Sequence, residues 1–299
     1  MKELQIGIIG LDTSHVVSLL AHFNNDSDPC HVKGFRIAKA YPGGSPGFSL
    51  SINRVDGYTE QLRNGGVEIV DNISAMSDMD AFLLTSVDGN QHQEQFTLLA
   101  DYGKPVYIDK PLACSYSDAA AIVKLAKEKK VPLMSCSSLR YAAGISDLVQ
   151  QADGEVYACQ ISAPMNILND YRDYFWYGIH SAEILFTILG RGCRSVKVNS
   201  GSEGDLITGI WGNGKFGTVF GNHFDNWEFS CSVSCRNANR SSVAIPPYDV
   251  PLKKKIAEFF RTGKSPVDIE ETLEIIAFLE AASRSRKAGG AETELCLMG

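Results

Sequence analysis

One stretch of the chain, residues 80–113, restricts the fold more than any other. It reads DAFLLTSVDGNQHQEQFTLLADYGKPVYIDKPLA. AFLLTSV has the continuous apolar character of a buried strand, QHQEQFTLLADYG is typical of a helix that ends at Gly103, and KPVYI is a second apolar strand. Together they predict a right-handed βαβ unit and therefore a parallel sheet. Lys110 follows the carboxyl end of the last strand, where such sheets bind ligands, although most loop lysines are only solvated.

Strands and helices alternate over roughly the first 140 residues, which predicts a doubly wound parallel domain over residues 1–139. Beyond this point the pattern changes. A helix, HSAEILFTIL, is followed by consecutive strands separated by turn residues, and two helices close the chain. Residues 140–299 are therefore predicted to form an α+β domain with a large, mainly antiparallel sheet, and its C-terminal helices are candidates to pack back on the first domain.

Composition narrows the range of partners. The 299 residues carry a net charge of -7 without a long basic block, which argues against nucleic acid. No apolar run is long enough to span a bilayer, and MKELQIGIIG lacks the apolar core of a signal peptide, so we expect a cytoplasmic protein with no membrane partner. The eight cysteines form no CxxC pair, which predicts reduced thiols and no metal site.

The first strand and the turn after it invite comparison with the dinucleotide fingerprint GxGxxG. The aligned positions are Gly10, Asp12 and His15, so one glycine of three is kept. A carboxylate about 4 Å from a phosphate charge would be repelled by roughly 4 kcal/mol at an effective dielectric near 20. Either Asp12 turns away, or the cofactor is shifted or absent. The hydroxyls of Thr13 and Ser14 at the helix N-terminus remain able to receive phosphate.

The second strand ends at Tyr41, without the acid that usually binds the ribose of NAD and without a nearby arginine that would indicate NADP. Gly43 and Gly44 follow. Glycine loops of this kind cradle phosphates in some proteins but are more often simple turns.

Several short motifs, in order and at the expected spacing, resemble those of the Gfo/Idh/MocA oxidoreductases. This family joins an N-terminal Rossmann domain to a C-terminal antiparallel α/β domain. The similar motifs are NQH at 90–92, DKP at 109–111 in place of Glu-Lys-Pro, LRY at 139–141 and GIH at 178–180. The resemblance implies that Lys110 and His180 are catalytic: the histidine exchanges the hydroxyl proton, and the lysine stabilises charge on the reacting oxygen. The alternative for His180 is a histidine at a helix N-terminus that is hydrogen-bonded within the domain junction, and the motif context favours the catalytic role.

The resemblance also implies two sets of binding residues. The cofactor set comprises Gly10, Asp12, Thr13, Ser14, Tyr41, Ser86, Asp109 and Lys110. The substrate set comprises Arg140, Tyr171, Trp176, Tyr177 and Glu183. Trp176 stands where the family often has an aspartate, which removes one carboxylate from the site. Aromatic rings can stack on a sugar face, but such rings also pack domain junctions and subunit interfaces. Glu183 is about as well explained by a structural or solvated role.

Three functions are open at this stage. The first is an NAD- or NADP-dependent oxidoreductase acting on a small carbohydrate-like hydroxy compound. The second is a ligand-binding or regulatory protein on the same scaffold, with a degraded redox site. The third is NAD-dependent non-redox chemistry on glycosides. The second sheet would expose one broad face, which predicts a homodimer or homotetramer.

Overall fold

The computed structural model describes residues 2–151 and 156–297. The chain forms two compact units. The first comprises Met1–Cys136 with Leu252–Ile269, and the second comprises Ser137–Pro251 with Glu270–Gly299. The first unit therefore ends three residues before the boundary expected from the sequence, and it also includes a segment from the C-terminal part of the chain.

The helices of the described residues occur close to where the sequence patterns place them. They are α1 (His15–Asn24), α2 (Ser49–Ile52), α3 (Val55–Asn64), α4 (His92–Ala100), α5 (Tyr116–Lys129), α6 (Ile145–Gln151), α7 (Gly178–Leu189), α8 (Asp249–Thr262) and α9 (Ile269–Lys287). A side-chain cap begins α5, where the Ser115 hydroxyl oxygen accepts a hydrogen bond from the Asp118 N–H at 3.1 Å. Ser14 stands at the N-cap position of α1 but makes no such bond, because its own backbone is already helical.

The first unit is built on a parallel sheet. Its strands are β1 (Leu4–Ile9), β2 (Phe35–Tyr41), β3 (Glu68–Ile69), β4 (Ala81–Leu84), β5 (Val106–Ile108) and β6 (Leu133–Ser135). Among the described residues their order is β3-β2-β1-β4-β5-β6, and every neighbouring pair is parallel. β4, β5 and β6 are buried at every position, as expected where helices cover both faces of a parallel sheet.

The second unit is built on a mixed sheet. Its strands are β7 (Val156–Pro164), β8 (Cys193–Ser200), β9 (Gly204–Trp211), β10 (Phe216–Asn222), β11 (Ser230–Cys235), β12 (Asn239–Val243) and β13 (Thr293–Glu294). The order is β12-β11-β7-β10-β9-β8-β13. The pairing of β10 with β7 is parallel and the other pairings are antiparallel, so the prediction of a mainly antiparallel sheet is confirmed.

One face of this second sheet is covered by helices of its own unit. Gly209 and Gly217 make room for Phe278 of α9 and Leu185 of α7, because a Cβ on either glycine would come within 3 Å of those side chains. The opposite face carries partly exposed apolar side chains, at Leu206, Ile210 and Phe216. In the described part of the chain, no helix has both the length and the apolarity needed to cross a membrane.

Candidate active site

The carboxyl ends of β1, β4 and β5 bring the predicted cofactor residues of the first unit to one edge of its sheet. Gly10 follows β1, Ser86 lies shortly after β4, and Asp109 and Lys110 follow β5. Gly10 has φ +88°, and a Cβ there would lie 2.3 Å from the Ser86 backbone nitrogen, so only glycine fits. Ser86 donates its hydroxyl hydrogen to Gln95 Oε1 at 2.8 Å. This edge is where open parallel sheets bind ligands.

Asp12 faces the interior of the first unit rather than a phosphate. The residue is 0% exposed, and its carboxylate accepts hydrogen bonds from the Ser51 hydroxyl at 2.6 Å and the Val87 N–H at 2.9 Å. Burial raises the pKa of this carboxyl, although both hydrogen bonds oppose the shift. The sequence left open whether Asp12 turns away from the phosphate site or the cofactor is shifted or absent, and the structure shows that Asp12 turns away. It supports the loop, and its charge is withdrawn from the surface.

The N-terminus of α1 lies just beyond this loop. Thr13 is buried and its hydroxyl lies 3.4 Å from the His15 N–H, whereas Ser14 is exposed and makes no side-chain cap. An α-helix presents unpaired N–H groups at this end, and these groups favour anions. The local geometry fits a pyrophosphate in spite of the two missing glycines, because Asp12, the only carboxylate of the motif, is directed into the interior.

A cavity of about 160 Å³ opens beside the end of β2. Its lining includes Tyr41, Gly43 and Gly44, Gln91 at the N-cap of α4, and Glu94 and Gln95 within that helix. Glu94 thus provides a carboxylate to this cavity, although β2 itself ends without an acid. None of the described residues lining it is basic.

Asp109 and Lys110 form the charged end of β5. The Asp109 carboxylate lies 2.7 Å from His15 Nδ1 and 3.2 Å from the Tyr107 hydroxyl. Burial alone would raise its pKa, but the His15 imidazole and the Lys110 ammonium hold it far below the usual value, so the carboxyl is ionised. Burial lowers the pKa of Lys110, and the Asp109 carboxylate opposes that shift. Lys110 is partly buried, which favours a role other than that of a fully solvated loop lysine.

His180 lies in the first turn of α7 in the second unit. It is 9% exposed, and its Nδ1 lies 2.6 Å from the Ser137 hydroxyl. The same hydroxyl oxygen accepts a hydrogen bond from the Leu139 N–H at 3.1 Å, which fixes its position. This bond orients the imidazole within the unit. The sequence pattern marked His180 but gave no indication of Ser137, which lies 43 positions earlier.

Aromatic rings surround His180 within the second unit. The centroid of the Tyr177 ring lies 5.4 Å from that of His180 and 5.3 Å from that of Trp227. The centroid of the Phe229 ring lies 5.9 Å from that of His180. Trp227 is 51% exposed. The sequence motifs do not indicate Trp227, which lies just before β11 begins at Ser230.

The other predicted aromatic residues extend the same group of rings. Trp176 lies 6.3 Å from the Tyr177 ring, and Tyr171 lies 5.8 Å from Trp176 in an edge-to-face arrangement. Burial raises the pKa of the Tyr177 hydroxyl, which is therefore neutral at physiological pH.

Arg140 and Glu183, both predicted to bind substrate, bind each other. Arg140 Nε donates to Glu183 Oε1 at 2.6 Å, and its Nη2 donates to Glu271 Oε1 at 2.5 Å. Glu183 is 1% exposed. The structure therefore supports the structural explanation of Glu183 and extends it to Arg140: the guanidinium joins α7 to α9.

Comparisons with known proteins agree with this geometry. Residues 51–136 match the family model described as "Oxidoreductase family, NAD-binding Rossmann fold". An uncharacterized oxidoreductase from Streptococcus pneumoniae is 25% identical over 111 residues, a match that covers 36% of this chain and 30% of the relative.

Solved structures match over almost the whole chain. A probable dehydrogenase from Thermotoga maritima has a TM-score of 0.81 at 16% identity, covering 98% of this chain and 99% of that one. A myo-inositol dehydrogenase from Lactobacillus casei, solved with NAD(H) and myo-inositol, has a TM-score of 0.80 at 16% identity, covering 100% and 98%. At identities this low, the matches show the fold alone. The family match over residues 51–136 and the shared two-unit fold support membership of the Gfo/Idh/MocA oxidoreductase family.

Proposed function

We propose that this protein is an NAD(P)-dependent oxidoreductase that exchanges hydride between the nicotinamide and a carbinol of a small, carbohydrate-like compound. The observation that carries the proposal is the arrangement of His180, which is held by Ser137 and bordered by the rings of Tyr177 and Trp227. Side chains do not donate or accept hydride, so the bound cofactor supplies this part of the chemistry.

The residues proposed to hold the cofactor lie along the carboxyl edge of the first sheet. Gly10 allows close approach of a ligand to the backbone, and Thr13, Ser14 and the N-terminus of α1 receive the pyrophosphate. The cavity beside Tyr41 receives the adenosine half. Because Glu94 lines this cavity and no described lining residue is basic, we propose NAD rather than NADP: a 2′-phosphate there would face a like charge.

The proton is handled by His180. If Nδ1–H donates to the Ser137 hydroxyl oxygen, Nε2 is the nitrogen that accepts the substrate's hydroxyl proton during oxidation and returns it during reduction. An imidazole suits this exchange because its unperturbed pKa lies near neutrality. Lys110 contributes a positive charge that stabilises the developing negative charge on the reacting oxygen. Asp109, ionised beside it, favours the protonated form of the lysine.

The substrate class follows from the exposed rings. Trp227, Tyr177 and Trp176 offer apolar faces on which the C–H face of a sugar or cyclitol ring can stack while its hydroxyls stay hydrated or hydrogen-bonded. The L. casei neighbour binds myo-inositol, which has this shape. We further propose that the partly exposed apolar face of the second sheet, with Leu206 and Phe216, is covered by another copy of the chain in the cytoplasm.

A ligand-binding protein without catalysis is the second candidate, and Trp176 favours it because a tryptophan cannot replace the carboxylate that the family often places there. Activity separates the two. The assay follows reduced cofactor while purified protein is supplied with NAD⁺ or NADP⁺ and a panel of cyclitols, aldoses and polyols. We expect turnover with NAD⁺ and at least one member of the panel.

Two variants test the assigned roles. His180→Asn and Lys110→Met should each lower kcat by about 100-fold or more while the melting temperature stays within a few degrees of wild type. Lys124→Met, at an exposed lysine on α5, is the matched control and should retain activity. If neither cofactor binds and a carbohydrate still does, the protein is a binding protein and the oxidoreductase proposal is wrong.

A further inference from the structure

Three side chains with metal-binding groups meet in the first unit, where α1 ends and the loop to β2 begins. His22 lies in the last turn of α1, and Asp28 and Cys30 lie in the loop. One ligand atom from each residue lies within 4.8 Å of the other two. His22 Nε2 and Asp28 Oδ1 are 3.6 Å apart. This group is separate from all the residues assigned above to cofactor or substrate.

The separations suit a small tetrahedral ion. Zinc lies about 2.0 to 2.3 Å from imidazole nitrogen, carboxylate oxygen and thiolate sulfur, so ligand atoms around it are about 3.3 to 3.7 Å apart. The His22–Asp28 separation already falls in this range. The remaining separations need to close by about 1 Å at most, which a rotation of the partly exposed Cys30 side chain can supply.

Hydrogen bonds hold the loop in a conformation that brings the three groups together. The Cys30 N–H donates to Asp28 Oδ1 at 2.7 Å, which links two of the proposed ligands directly. The Val32 N–H donates to the His22 carbonyl at 2.8 Å and ties the loop back to the end of α1. His31 Nδ1 lies 3.1 Å from the same carbonyl, so its ring packs beside the group. Little rearrangement of the backbone is required for an ion to enter.

We propose that His22, Asp28 and Cys30 bind one Zn²⁺, with water as the fourth ligand. A thiolate, an imidazole and a carboxylate together favour zinc over magnesium or calcium, which prefer oxygen ligands alone. The Cys30 thiol releases its proton to solvent as the Zn–S bond forms. The loop precedes β2 and so lies at the amino-terminal edge of the sheet, opposite Gly10 and Lys110. The ion therefore stabilises the α1–β2 connection and takes no part in hydride transfer.

The test begins with protein freed of metal by a chelator and then dialysed. Titration with Zn²⁺ should show one equivalent bound per chain and a rise in melting temperature. Titration with Co²⁺ should produce the near-ultraviolet absorption of a cobalt–thiolate bond. Cys30→Ser should abolish that absorption, and Asp28→Asn should weaken zinc binding at least tenfold while keeping an oxygen acceptor for the Cys30 N–H. Cys296→Ser, at an exposed cysteine elsewhere, is the matched control and should bind as wild type.

Alkylation supplies a second measurement inside the same molecule. Zinc should slow the reaction of Cys30 with iodoacetamide at least tenfold and leave the rate at Cys296 unchanged, as followed by peptide mass spectrometry. The proposal is overturned if zinc fails to saturate the wild type at micromolar concentration, if Cys30→Ser keeps the cobalt absorption, or if zinc protects neither cysteine. None of these results depends on whether the protein has oxidoreductase activity.

Discussion

Replacing Arg140 with methionine tests whether this residue binds substrate or holds the second unit together. Its guanidinium bonds two carboxylates, at 2.6 Å to Glu183 and 2.5 Å to Glu271, and its side chain is 12% exposed. The two carboxylates raise the pKa of Arg140 although its burial acts to lower it, so the charge is strongly stabilised. Methionine keeps much of the apolar stem but leaves Glu183 and Glu271 without their shared counter-ion.

The magnitude follows from the geometry. Each of the two ion pairs contributes about 4 kcal/mol at a charge separation of 4 Å and an effective dielectric of 20. Replacing the arginine also removes the cost of burying its charge, which offsets several kcal/mol of the loss. We therefore expect a loss of about 3 to 5 kcal/mol in the free energy of unfolding, as is typical when one member of a buried ion pair is removed. The melting temperature should fall by about 6 to 20 °C.

The loss of stability caused by Arg140→Met should become smaller as the pH falls. Burial already raises the pKa of Glu183 in the folded protein, and removing Arg140 raises it further above its unfolded value. The folded variant then binds protons more readily than its unfolded chain. Its loss of unfolding free energy relative to wild type is therefore largest near pH 8 and becomes smaller as the pH falls through the raised pKa. Urea unfolding at pH 8 and pH 5.5 measures this difference.

Controls separate the two roles of Arg140. Arg63→Met removes an exposed pair with Glu60 and should change stability by less than about 1 kcal/mol. Adding Glu183→Gln to Arg140→Met should recover part of the loss, because one unpaired buried charge is then gone. A variant that unfolds within about 1 kcal/mol of wild type but has a raised KM would refute the structural role and return Arg140 to the substrate site.

Three further predictions concern the two units separately. Burial lowers the pKa of Lys110, so the alkaline decline of kcat/KM should occur below the usual lysine pKa, and Lys110→Arg, if active, should move that decline to higher pH. An unmoved decline would assign it to another group. Asp109 has a lowered pKa when folded, so the stability that it contributes is complete above about pH 4 and is lost as the pH falls further. Asp109→Asn should therefore be destabilised at pH 7 by urea unfolding, with a deficit that narrows below pH 4; a constant deficit would contradict the ionised carboxylate. Trp227→Ala should raise the KM for a cyclitol or sugar several-fold with little change in melting temperature, whereas Phe224→Ala, at a ring of similar exposure, should leave KM unchanged. Equal effects of both changes would remove Trp227 from the substrate surface.

Local pattern accounts for much of the architecture. The βαβ unit of residues 80–113, the cap of α5 at Ser115 and the glycine after α7 are all visible in the sequence, because each depends on neighbours a few positions away. The placement of Gly10, Asp109 and Lys110 at one sheet edge was predictable for a related reason: the carboxyl ends of parallel strands share an edge whatever their side chains. The parallel pairing of β7 with β10 was not, because it depends on which strands meet after the chain crosses the sheet.

The sequence alone determined most of the elements and the class of fold, and it marked Lys110 and His180 as the residues proposed to be catalytic. Tertiary structure decided where the side chains point and with which partners. Only the folded chain turns the Asp12 carboxylate toward Ser51 and Val87, pairs Arg140 with Glu183 across 43 positions and sets Trp227 beside Tyr177. The periodicity of a helix or strand indicates which of its faces is buried. The partner of a charged or aromatic side chain depends instead on strand order and helix packing, which are properties of the whole fold and not of a short segment.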